Sequence, residues 1–320
     1  MIRRALGERA CLLLAGGLLS IAAQAEDAAR WLEKMSLALE DTAYHGVLLR
    51  EQNGRSEALE IFHTKSDGVV RERLVSQEGS GFEIIRNGDE VHCVLPDKRA
   101  VLIEAWDERS TLFASLPSST EGLVDSYDLL IQNKQRIAGR KALLMFIDPR
   151  DDLRFGHRVW LDIETGFPLK TQLVDRDGAI LEQIRFADIT LNAAIAPEDL
   201  QTRYDLSGFK WYPAKKERRT SVANVTWQSS QLPAGFVVES RHKESMGESD
   251  ATVTHIVYSD GLSKVSVFIE TAKSSSRTMR SRVGGSHSFS TVVDGYQVTA
   301  VGEVPAATVE KIALSMRLPR

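Results

Sequence analysis

Residues 160–186 read WLDIETGFPLKTQLVDRDGAILEQIRF, with an apolar residue at almost every second position. That period belongs to β-strands, whose side chains alternate between two faces. Two short turns divide the stretch into three strands, and loops this short make neighbouring strands antiparallel. Val159, Leu161, Ile163, Leu169, Thr171, Leu173, Ile180, Ile184 and Phe186 then share one face. Arg158, Trp160, Asp162, Lys170, Gln172, Leu181, Gln183 and Arg185 share the other. A sheet with one oily face must be covered. The candidates are a helix at 26–43, the elements at 107–130, or a ligand.

The same pattern recurs upstream. HGVLLREQ, EALEIFHT, VVRERLVSQ, FEIIRNG, EVHCVLP and AVLIEA are separated by NGR, SDG, EGSG, NGD and PDKR. Gly, Asn, Asp and Pro each favour turns for a different local reason. Further strands are predicted at 131–137 and 141–147, with helical or irregular chain at 107–130. Ahead of them, Ala28, Trp31, Leu32, Met35 and Leu39 recur at helical spacing, and Glu26 and Asp27 at the start suit the helix dipole.

The first 25 residues follow another logic. Arg3, Arg4 and Arg9 precede the apolar run CLLLAGGLLSIAA, and Ala23-Gln24-Ala25 offers a small-x-small cleavage site. This pattern predicts a secretory signal peptide over 1–25, too short to span a membrane comfortably. Cys11 opens the apolar run rather than ending it, which argues against lipidation. Cleavage leaves Cys93 as the single thiol, so no internal disulfide is expected. It also removes three Arg and Glu8, leaving 37 basic and 43 acidic residues, a net charge of −6. Such a balance gives no electrostatic case for nucleic acid.

After Leu206 the composition shifts. Five Lys or Arg lie within 210–219, beside Trp211 and Tyr212. A solvated linker over 207–224 is the favoured reading, against a surface for an anionic head group or acidic peptide. A smaller strand-rich unit with a turn at Ser259-Asp260-Gly261 follows, and Pro305 opens a final helix. The expected domains are 26–206 and 225–320. Three Arg among Ser and Gly in 274–288 predict a flexible loop.

Motifs that carry chemistry are missing. The chain after residue 25 has no HExxH, CxxC, Walker loop or G-x-S-x-G elbow, and its seven His stand at least thirteen residues apart. Asp162, Asp175 and Asp177 sit where Asp caps turns. Trp160, on the wetter face, is expected to pack under a second layer. No enzyme and no cofactor are expected.

VWLD-x-x-TG-x-PLK followed by D-x-DG-x-x-LEQ-x-x-F resembles the sheet of LolA/LolB-type lipoprotein carriers. The whole chain after residue 25 resembles the RseB/MucB family more closely. The matching residues are Arg71-Glu72-Arg73 ahead of FEIIRNGDEV, Ile137-Ala138-Gly139-Arg140 and the 159–186 block. In the smaller unit they are LPAGF (232–236), YSDGL (258–262), SVFIE (266–270) and VGEVP (301–305). The resemblance implies an α+β fold, a LolA-like incomplete antiparallel β-barrel closed by helices, with a smaller α+β C-terminal domain. It implies a periplasmic negative regulator of the sigma-E (AlgU-type) stress response. Its partner would be the periplasmic domain of a membrane anti-sigma factor, shielded from the first regulatory protease, with lipid or lipopolysaccharide favouring release. The alternative is a lipoprotein chaperone or lipid carrier. A homo-oligomer is left open. On either reading an acyl chain would meet the oily wall at Val159, Leu161, Leu169, Leu173, Ile180, Ile184 and Phe186, gaining about 0.8 kcal/mol per buried CH₂ before ordering costs.

Overall fold

The computed structural model describes residues 27–105, 113, 116, 117, 122–213, 220, 221, 227–245 and 252–318. The expected signal peptide and most of 106–121 lie outside the described residues. Strands β1 (Tyr44–Gln52), β2 (Arg55–Ser66) and β3 (Val69–Ser76) turn back on each other through Asn53-Gly54 and Asp67-Gly68. Both residues of each turn have positive φ, 55° and 70° in the first and 53° and 75° in the second. This geometry matches the twist of the flanking strands and favours Asn or Asp followed by Gly.

Strands β4 (Glu83–Asn87), β5 (Glu90–Leu95) and β6 (Ala100–Ala105) extend the sheet on one side. On the other, β1 pairs with β11 (Ile180–Leu191), followed outward by β10 (Pro168–Val174), β9 (Gly156–Asp162), β8 (Arg140–Pro149) and β7 (Tyr127–Ile137). A short strand, β12 (Lys210–Tyr212), adds parallel to β6 and completes twelve strands in one sheet. The two ends, β12 and β7, do not pair with each other, so the sheet stays open. Lys210–Tyr212, inside the stretch expected as linker, are therefore strand residues here.

Helix α1 (27–41) lies on one face of this sheet. Ala28, Leu32, Met35 and Ala38 bury the stripe that the helical spacing predicts. They join Tyr44, Leu48, Leu59, Ile61 and Leu74 from β1–β3 and Met145, Val159, Leu169 and Phe186 from the far half in one core. The opposite face is covered unevenly. Over β2–β4 the chain at 193–209 wraps back: Arg73, fully buried, ion-pairs with Glu83 at 2.6 Å and donates to the Asp199 carbonyl at 3.3 Å. Over β8–β11 the outward Leu144, Trp160, Gln172 and Gln183 are buried as well. Lys170 lies 4.3 Å from the Trp160 ring centroid, and the indole N–H donates to Gln135 Oε1 at 2.6 Å. Long side chains share in covering the ring that was expected to sit under another layer.

The second sheet is built from β13 (Thr220–Ser221), β15 (Val237–Ser245), β16 (Thr252–Ser259), β17 (Lys264–Thr271), β20 (Tyr296–Gly302), β19 (Ser286–Val293) and β18 (Met279–Val283), in that spatial order. A two-stranded ladder joins β14 (Gln228–Ser229) to β21 (Met316–Arg317). Helix α2 (Ala306–Leu314) packs on this sheet through Val309, Ile312 and Ala313, which share a core with Val267, Val298 and Phe289. Within 274–288, expected as a flexible loop, residues 274–278 are turn or irregular chain, whereas Met279–Val283 form β18 and pair with the start of β19 in an edge hairpin. Arg280, Ser281 and Arg282 lie on a strand with every residue exposed, so composition alone resembled a loop.

Candidate functional site: an oily wall and a charged seam

Six of the seven candidate wall residues are brought together. Val159, Leu161 and Leu169 have no solvent exposure, and Leu173, Ile184 and Phe186 have 6% or less. All six point to the face that α1 covers. Phe186 meets Phe167 at 5.9 Å between ring centroids, and Phe167 meets Tyr44 at 4.7 Å and Phe113 at 6.1 Å. Lys34 tethers the helix by donating to the carbonyls of Ile163 at 3.1 Å and Glu164 at 2.9 Å. The turn it grips is shaped by Asp162, which accepts from the backbone N–H of Thr165 at 2.9 Å. Burial works against the Asp162 charge, but Arg140 at 2.8 Å and Thr165 hold its carboxyl below the usual range.

Ile180 is the exception, with 52% of its surface exposed. Leu173 pairs with Glu182 but Val174 pairs with Ile180, so one extra residue, Leu181, is inserted into β11. A bulge of this kind reverses the alternation beyond it. Ile180 therefore shares the outer face with Val174, opposite Ile184 and Phe186. Counting by twos along the sequence cannot see the insertion.

The far end of the same face meets the second domain. Asp260, in the β16–β17 turn, is fully buried and accepts from Arg154 Nε at 2.6 Å and from the Tyr127 hydroxyl at 3.0 Å. Its other oxygen accepts from the backbone N–H groups of Leu262 at 3.0 Å and Ser263 at 2.7 Å. Arg154, between β8 and β9, is itself buried. It also contacts Asp151 and the Ala234 carbonyl, and its guanidinium lies 5.0 Å from the Phe236 ring centroid. Burial opposes the Arg154 charge, yet the bonds to Asp260 and Asp151 hold its pKa above the ordinary value. Burial and the Asp260 charge push the Tyr127 hydroxyl well up, so it remains a donor.

Around this centre the seam is tightly packed. Leu262 enters the large-domain core, and the Thr308 hydroxyl donates to the Leu153 carbonyl at 2.7 Å. Gly285 passes so close to the large domain that a Cβ would lie 2.5 Å from Leu173 Cδ2, so a side chain there would force Leu173 to shift. Glu303 faces Glu182 and Arg50 across the seam; burial and then Glu182 raise its carboxyl to about 7. His157, buried beside Asp260, is lowered by burial to about 4. A recess of about 420 Å³ opens next to the seam, lined by Arg50, Gln52, Asn53, Arg55 and Glu57.

LPAGF contributes Ala234 and Phe236 to this seam, YSDGL contributes Asp260 and Leu262, and VGEVP contributes Glu303. None of these roles was readable from the sequence. Asp in an SDG turn looks like a turn cap, and Arg154 lies 106 residues away from it. Among the described residues no group of three or more His, Cys, Asp or Glu could hold a metal. His242 and His255 do meet, at 3.2 Å, although the sequence spacing showed no local pair.

A sheet face covered by a helix over its middle and by a second sheet unit at its end defines a two-domain α+β protein. Residues 27–204 match the MucB/RseB N-terminal domain and residues 221–317 match the MucB/RseB C-terminal domain. The chain belongs to the MucB/RseB family, whose members are regulators rather than enzymes. It is 34% identical over 315 residues to the sigma factor AlgU regulatory protein MucB of Pseudomonas aeruginosa, covering 96% of each chain. A crystal structure of MucB in complex with MucA(peri) and a complex structure of Pseudomonas aeruginosa MucA/MucB superpose on it with TM-scores of 0.72 and 0.73, at 30% and 31% identity. In both, 92% of this chain and 99% of the other are covered. A crystal structure of MucB itself superposes with a TM-score of 0.61, at 30% identity and coverage of 92% and 98%.

Proposed function

We propose that this protein acts in the periplasm, holding the periplasmic part of a membrane anti-sigma factor and shielding it from the first regulatory protease. One observation carries this reading: both domains match, in order and over nearly the whole chain, a relative that has been crystallised with MucA(peri). Lipid or lipopolysaccharide favours release. The wall of Val159, Leu161, Leu169, Leu173, Ile184 and Phe186 supports that step. Its cover, α1, is held mainly by an apolar stripe, and an acyl chain of matching area can take the place of that stripe. Each buried CH₂ contributes about 0.8 kcal/mol before ordering costs.

The test is a protection assay. The periplasmic domain of the cognate anti-sigma factor is exposed to the initiating protease with this protein present, with and without saturating lipid A. Protection that lipid A removes is the expected outcome. Cleavage at the same rate with and without the protein would overturn the reading.

A further inference from the structure

Arg154 and Asp260 form an ion pair with side-chain exposures of 1% and 0%, and they belong to different domains. Such a pair is a poor source of net stability, because desolvating both charges offsets most of their attraction. Its physical property is different: it is satisfied in one geometry and costly in every other. The donor set here has little slack. Asp260 accepts from Arg154, Tyr127, Leu262 and Ser263, and Arg154 also meets Asp151 and the Ala234 carbonyl. A small rotation of one domain leaves charge buried and unpaired. Taken whole, the chain also superposes better on the two MucA-bound structures, with TM-scores of 0.72 and 0.73, than on MucB itself at 0.61, over the same 92% of its length.

We infer that Arg154, Asp260 and Tyr127 are positioning residues that hold the two domains in the arrangement that takes the anti-sigma periplasmic domain. This rests on the reading that the protein binds such a domain. The residues need not touch the partner. They set the fraction of molecules competent to bind, and apparent affinity falls in proportion to that fraction.

The experiment compares Arg154→Leu, which leaves the Asp260 turn intact, with a covalently locked form. A Cβ built at Gly235 lies 3.7 Å from Ser126 Cβ, a separation a disulfide spans, although the Gly235 φ of 82° places some backbone strain on any side chain there. Ser126→Cys with Gly235→Cys, in a Cys93→Ala background, therefore staples the seam. Affinity for the anti-sigma periplasmic domain is measured by calorimetry, and domain arrangement by small-angle X-ray scattering. Arg154→Leu is expected to bind at least tenfold more weakly with a changed scattering profile. Tyr127→Phe should weaken binding only a few-fold. Oxidised Ser126→Cys/Gly235→Cys should bind like the unmodified protein, and adding the staple to Arg154→Leu should restore binding, which rescues that variant even if it folds poorly alone. Equal affinity in Arg154→Leu, or a stapled protein that binds only after reduction, would overturn the latch and leave the functional reading standing. Failure of the unmodified protein to bind would overturn both.

Discussion

One face of the large sheet has two covers, and they are built on different physics. Over its middle, α1 lays down Ala28, Leu32, Met35 and Ala38 against Leu169 and Phe186, a contact without direction. At its end, the second domain sets Asp260 between Arg154 and Tyr127, a contact that exists in one geometry only. An apolar cover can be exchanged for another apolar group of similar area. A buried charge pair is made or broken. A regulator that holds one partner and responds to another ligand can use both properties, the first to admit and the second to hold.

The comparison is broken most forcefully at Asp260. Asp260→Ala leaves the buried Arg154 guanidinium with only Asp151 and the Ala234 carbonyl as partners and should cost about 3 kcal/mol at the seam. Hydrogen exchange at Leu262 and Ser263 should then rise while protection in β1–β3 persists. Loss of protection throughout both domains would mean that the seam is not a separable contact.

Leu32→Ala probes the other cover. Removing a buried side chain should cost about 3 kcal/mol, seen as a lower urea midpoint for the large domain. If the cover is exchangeable, the same variant should take up a fluorescent fatty acid more readily than the unmodified protein. Unchanged uptake would show that α1 does not gate the wall.

Acid tests the seam with a smaller effect and a defined sign. The Glu303 carboxyl, facing Glu182 and Arg50, is raised to about 7 from 4.5, so the docked state holds its proton more tightly. Its contribution is full below pH 4.5 and is lost as pH rises through 7. His157, facing Asp260, is lowered to about 4 from 6.5, so its contribution is full above pH 6.5 and is lost as pH falls through 4. The two oppose each other between pH 4.5 and 6.5, and the unmodified seam should vary little there. Glu303→Gln should expose the histidine, weakening docking roughly tenfold between pH 8 and 5.5. His157→Gln should show the reverse, docking tighter at pH 5.5 by roughly 30-fold. Scattering or interdomain energy transfer across this range checks both, and identical pH profiles in the two variants would contradict the opposition. The smallest effect belongs to Ile180→Ser, which touches neither cover and should change stability by no more than about 0.5 kcal/mol.

Much of the framework was legible without coordinates. The strands of the 159–186 block, the Asn-Gly and Asp-Gly turns and the buried stripe of α1 all follow from short-range rules, since side-chain period and turn chemistry act within a few residues. Six wall residues were found on that basis. Ile180 was misplaced because Leu181 adds one residue to β11, and only the pairing partner reveals it. Residues 279–288 were misread because an exposed edge strand can have the composition of a loop.

The amino-acid order by itself determined an α+β chain with an oily-faced antiparallel sheet, a helix able to cover it and a second strand-rich unit. Family membership was visible too, since YSDGL, LPAGF and VGEVP stand in the family's order. What those motifs do was decided by tertiary structure alone. Asp260 and Arg154 are ordinary charged residues in turns, 106 positions apart, and no periodicity links them. Folding removes water from between them, and desolvation turns two letters with no local signal into the contact that fixes one domain on the other.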